Sequence, residues 1–258
     1  MNCLLALLFA LAAFVQYPGY TPASNDIPDD RADVRRRVES FEKLVKDPEK
    51  DAEAVKMLDG MIALFKESAE RDRGRIQKSM VSAVKVFDLP KDKTKGRNLP
   101  VEAADRMSQM GTEALKSIVG LIADSKVGKE MPRLVPLAHG LVKLGIGTPE
   151  ALDTSLKLLD DPNPRLFVAL SKAYAQMELE TQAKRKRIAG AMLAAFETFQ
   201  KRVDTDKSVS VETKPQLADE GRAAAIATLN ALAMQKQPDL VAFKSWFAEN
   251  KDKPWPEK

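Results

Sequence analysis

Cysteine is almost missing from this chain: Cys3 is the only one in 258 residues, and it precedes an apolar N-terminal run. Downstream of that run there is no thiol for a disulfide, a thiolate metal site or a cysteine nucleophile, so stability must come from packing. No lipobox-like Leu-x-Gly/Ala run precedes Cys3, which argues against a lipid anchor. Histidine is as scarce. His139 alone makes no multi-histidine zinc site, and no motif sets a Ser or Thr beside it as a triad nucleophile. Asp-x-Asp-x-Asp-Gly calcium loops are absent. Aromatic residues make up 6% of the chain, few for the Trp- and Tyr-lined groove of an all-helical toroid that cleaves polysaccharide. The charge is balanced as well, 41 basic against 37 acidic residues for a net +4, which argues against the one-sided basic face of a nucleic-acid binder. The chain calls for no cofactor and no catalytic residue.

What the N-terminus does contain is the run Leu4 to Val15, followed by the small-residue exit Thr21-Pro22-Ala23. The run is shorter than the roughly 20 apolar residues of a transmembrane helix. It reads as a secretory signal, 1–23, cut after Ala23, leaving 24–258 as a single helical-repeat domain without a transmembrane helix. Only the terminal amine is positive ahead of the run, where a signal normally carries Lys or Arg; retention as an anchor is the competing reading.

The strongest internal pattern is a unit that occurs twice. Glu113-Ala114-Leu115 and Pro132-Arg133-Leu134 return as Glu150-Ala151-Leu152 and Pro164-Arg165-Leu166, the second copy five residues shorter between its two tripeptides. Assigned to a loop, that difference leaves the helices in register. Periodicity of 3.6 residues predicts helices at 31–46, 49–66, 69–87, 100–110, 112–124, 131–145, 149–160, 164–178, 181–203, 215–235 and 238–250, and no strand. Asp47, Thr148 and Asn163, each before a proline, read as N-caps. Gly111 and Gly145 suit left-handed turns that end helices. Leu156 and Leu170, central on matched apolar faces, are expected in the core. The fold class is therefore all-α: an α-solenoid of about five stacked antiparallel helix pairs plus a C-terminal helix.

With its apolar first helix, the Asp161-Pro162 turn and an Arg-bearing second helix, the stretch 110–178 resembles HEAT repeats. The tail, Phe243-Lys244-Ser245-Trp246-Phe247 with Lys251-Asp252-Lys253-Pro254-Trp255, is similar to the ends of exported bacterial HEAT-type proteins. That resemblance implies a non-catalytic scaffold for protein interaction in the bacterial cell envelope, periplasmic or secreted. The Trp, Gly, Tyr and Pro spacing of tetratricopeptide repeats is absent.

Basic clusters are the candidate binding residues. Lys91, Lys93, Lys95 and Arg97 occupy a loop between Pro90 and Pro100, and Lys184, Arg185, Lys186 and Arg187 open a helix. Arg71, Arg73 and Arg75 form a third group. These read either as solvated faces or as pointing to an anionic partner: an acidic protein surface, an anionic polysaccharide or a phospholipid head group. Four cations at a helix N-terminus oppose its dipole, so something must offset them; a start near Glu178 and Glu180 would do so. Two rival classes remain: an all-helical enzyme or binder acting on envelope polysaccharide, which needs an aromatic-lined cleft with paired carboxylates, and a metal-handling protein using the pairs Met57/Met61 and Met107/Met110. Trp246, Phe243, Phe247 and Trp255 read as the seal on the open end of the stack.

Overall fold

The computed structural model describes residues 29–88, 96–178 and 181–256; the expected signal segment 1–23 and Lys91, Lys93 and Lys95 lie outside them. Among the described residues every regular element is helical and no strand forms. In chain order α1 is Ala32–Lys46, α2 Asp51–Lys66, α3 Glu70–Val84, α4 Leu99–Arg106 and α5 Leu115–Ile122. They are followed by α6 Met131–Gly147, α7 Pro149–Leu158, α8 Pro164–Ala175, α9 Gln182–Thr205, α10 Lys214–Ala233 and α11 Leu240–Asn250. Short 3-10 turns occupy Pro48–Lys50, Met107–Ala114 and Val127–Lys129. The predicted spans agree with these in number and order because apolar periodicity and capping residues both mark them.

The caps show local chemistry at work. Asp47 accepts from the Glu49 N–H at 3.1 Å, and Asn163 from the Arg165 N–H at 3.1 Å. Thr148 stands at the expected N-cap, but its side chain makes no capping bond. Two helix starts are instead capped from a distance. Asp51 accepts from the N–H groups of Asn98 and Leu99 at the head of α4, at 2.8 and 3.3 Å. Asp29 accepts from the Arg71 N–H at the head of α3, at 3.2 Å. Sequence spacing cannot show such caps, since the donor and acceptor are more than 40 residues apart.

Gly111 takes φ 70°, a left-handed value that L side chains resist, and it marks the kink between α4 and α5 where a glycine turn was expected. Gly145 is different. It lies inside α6, where an added Cβ would come within 3.1 Å of the Leu152 backbone, so it permits close contact with α7 instead of ending a helix.

The repeated unit maps onto α5–α6 and α7–α8. Of the five extra residues in the first copy, three are in the loop, 123–130 against 159–163. One lengthens α5 beyond the tripeptide, and one is Met131 ahead of Pro132. The longer loop buries Val127, and its Gly128 carbonyl accepts from Asn163 Nδ2 at 2.7 Å, so one repeat's loop rests on the next. Asp124 holds this loop, ion-paired to Lys85 at 2.8 Å and accepting from the N–H groups of Lys126 and Val127. The Lys85 ammonium first, and then these amides, pull its carboxyl from 3.8 down to about 2. A folded-state pKa below the unfolded one means the stabilisation is full above about pH 4 and lost as the pH falls through 2. Screening at a side chain 24% exposed reduces the expected cost of Asp124→Asn at pH 7 to about 1 kcal/mol. Urea titrations at pH 7 and pH 3 check this: the gap between wild type and variant should shrink at pH 3.

Packing follows chain order. Each helix packs strongly only on helices one or two places away. The even helices α2, α4, α6, α8 and α10 form a continuous layer; among the odd helices α1 and α3 pack closely, and contact between successive odd helices is much sparser from α3 onward. One connected core runs from Val34 to Trp255. Leu170 is fully buried, as expected, but Leu156 is only half-buried. The inner face of α7 is Ala151, Leu152 and Ser155, and Leu156 flanks it. Ser155 tolerates burial because its hydroxyl bonds to the Leu152 carbonyl and, at 2.6 Å, to the Tyr174 hydroxyl. Burial raises the Tyr174 phenol to about 12.

At the far end, Phe243, Trp246, Phe247 and Trp255 form a ring cluster, with Trp255 2% exposed. Gln182 bonds both the N–H and the carbonyl of Trp255, which fixes the tail over α9. Between α9 and α10, a Cβ at Gly221 would fall 2.2 Å from the Phe199 ring, which is itself packed on Phe167 and Phe196. Gly221→Ala should therefore cost about 1–3 kcal/mol by overpacking, although alanine is the better helix former. The thermal midpoint checks this; a stabilised variant would contradict the packing.

Candidate interaction groove and the basic clusters

The basic clusters are engaged within the chain wherever they are described. Arg97 is not a free loop cation. Its side chain is 3% exposed, its Nε pairs with Asp51 at 2.9 Å, and its Nη2 donates to the Val45 carbonyl at 3.1 Å. Arg185 is buried, donating to the carbonyls of Leu232 at 3.0 Å and Pro256 at 2.5 Å, with its guanidinium over Trp255. Lys184 donates to the Ile146 carbonyl, Lys186 to the Lys253 carbonyl, and Arg187 pairs with Asp153 at 2.7 Å. Arg71 and Arg75 pair with Asp30, and Arg73 with Glu113.

These contacts supply the offset that four cations at a helix N-terminus require. The helix does not start early: α9 begins at Gln182, with Thr181 as its N-cap. Instead Ile146 and Leu232 lie in the last turns of α6 and α10, where carbonyls lack intrahelical donors and the dipole is negative. Lys184 and Arg185 satisfy those carbonyls. Their charge serves the joints between helices.

An open groove of about 720 Å³ lies across the even layer. Its wall is built from side chains spaced i, i+4 on successive helices, which share one face of each. α4 contributes Val101 and Asp105, with Glu102 beside them; α6 contributes Met131, Val135 and His139; α8 contributes Lys172, with Gln176 at its C-cap; and α10 contributes Glu220. Val101, Met131 and Val135 are half-buried and form an apolar floor. Pro132 and Pro136 also line it, and Pro136 has no N–H to offer the Pro132 carbonyl one turn earlier.

Three carboxylates and one ammonium face this groove. Lys172 is paired with Glu220. Glu102 pairs with Arg106 at 2.6 Å, and the same guanidinium holds Asp59 at 2.6 Å. Asp105 is exposed, with no ion pair in the described structure. No Phe, Tyr or Trp lines the groove.

No known protein family, curated protein or solved structure matches this chain.

Among the described residues no group of three or more His, Cys, Asp or Glu side chains is placed to hold a metal ion. Of the methionines singled out in sequence, Met61, Met107 and Met110 are buried in the core and Met57 is half-buried. No described helix is long and apolar enough to cross a membrane. His139, a plain helical residue by its sequence, stands in the groove wall. The other groove residues were missed, although one signal was present: Met131, Val135 and His139 form a second stripe beside the core stripe of Leu134, Leu137 and Leu141.

Proposed function

We propose that the protein is a non-catalytic HEAT-like α-solenoid that holds another protein in the groove of its even layer. The observation that carries this reading is an open groove, apolar at its floor and charged at its rim, laid across successive helices of the continuous layer. Contacts restricted to near neighbours are what a stack of helix pairs produces. A two-layer stack that packs continuously on one side and opens on the other bends toward the continuous side, which makes the even layer the concave one. Absence of an aromatic wall weighs against a sugar-stacking cleft and so against the polysaccharide reading. Export to the cell envelope rests on the Leu4 to Val15 run and the small-residue exit after it.

Site-specific photo-cross-linking in the native host tests the interaction. A photoreactive residue at Gln176, exposed in the groove, is expected to give discrete adducts with another protein. The same residue at Val241, 76% exposed on α11, is expected to give none. No adduct at Gln176, or the same adducts from both sites, would overturn the proposal.

A further inference from the structure

We infer that the groove selects a cationic, apolar polypeptide segment, and that the partner bears Lys or Arg residues alternating with aliphatic ones. This rests on the reading of the groove as a protein-holding surface. Charge decides the chemistry. The chain is net +4, yet the groove is lined by Glu102, Asp105 and Glu220 against Lys172; with Glu220 held by Lys172 and Glu102 by Arg106, the exposed Asp105 is the carboxylate open to a partner. The described cations of the basic clusters are spent on internal carbonyls and carboxylates, Arg97 and Arg185 most completely. Within the groove, the charge open to a partner is therefore negative.

The floor adds the second half of the requirement. Met131 and Val135 pack on the core with one side and face the groove with the other, so a purely polar cation would leave apolar surface wet. Four adjacent helices at about 8–10 Å spacing span roughly 25–30 Å, the reach of an extended segment of about eight or nine residues. Alternation in such a segment sends apolar side chains to the floor and cations to the rim. Gln176 and the Pro132 carbonyl offer polar partners for its backbone.

The test uses the full chain and three nine-residue probe peptides: alternating Lys and Leu, alternating Glu and Leu, and alternating Lys and Ser. Binding is read by fluorescence anisotropy, and the location by amide chemical shifts. The Lys–Leu peptide is expected to bind, to shift Val135, His139 and Gln176, and to weaken as salt rises. Glu–Leu and Lys–Ser peptides are expected to bind at least about tenfold more weakly, lacking the charge match or the apolar burial. Asp105→Asn, at an exposed position that leaves the fold intact by circular dichroism, should weaken Lys–Leu binding about two- to fivefold.

Equal binding of Glu–Leu, shifts confined to other surfaces, or an Asp105→Asn variant with wild-type affinity would overturn the inference. So would a dimer in sedimentation that Asp105→Asn dissociates, since a second copy would then own the groove, or spermine binding there as tightly as the peptide. A protein adduct from Gln176 together with failure of the Lys–Leu peptide would refute the charge assignment and leave the protein-holding reading standing.

Discussion

Leu170→Ala is expected to lower the unfolding free energy by about 2–5 kcal/mol, the range for a truncated, fully enclosed leucine. Leu170 is 0% exposed, on a helix whose strongest packing is against α6 and α10 at once. The cavity would open in the continuous layer, where neither flanking helix can move in without losing contact with its other neighbour. Leu156→Ala is the internal control: half-buried on the sparser layer, it should cost clearly less. Urea midpoints for the two variants check the order, and a larger loss from Leu156 would mean that the assignment of layers is wrong.

Arg97→Ala is expected to cost about 3 kcal/mol, which is large for a residue whose sequence setting is a basic loop. The loss is greater than that of a surface charge because Asp51, only 14% exposed at its side chain, would be left without its guanidinium. Asp51 also caps the start of α4, so the effect should reach the groove residues Val101, Glu102 and Asp105 in the first two turns. Arg97→Lys should recover little, since an ammonium cannot bond Asp51 and the Val45 carbonyl together as the planar fork does. Asp51→Asn combined with Arg97→Ala should recover part of the loss. Full stability in Arg97→Ala would show that the loop cation is free.

Much of the fold was legible in the sequence, for identifiable reasons. Helix spans, the break at Gly111, the caps at Asp47 and Asn163 and the ring cluster of Phe243, Trp246, Phe247 and Trp255 are each set by residues close in the chain. The candidate site was not legible, because it depends on which helices become neighbours. A run such as Lys184 to Arg187 looks like a solvated binding patch until the ends of α6 and α10 arrive beside it with unpaired carbonyls. The groove has the opposite character: Val101, Val135 and Gln176 are unremarkable in sequence and acquire meaning only when three helices align their i, i+4 rows.

Hydrogen-exchange mass spectrometry of the chain alone and bound to the protein captured from Gln176 tests the central claim most directly. Added protection is expected in segments from α4, α6 and α8 that carry Asp105, Val135 and Gln176, with none in α1 or α11. Protection centred instead on Lys184 to Arg187, or on the odd helices, would contradict the account.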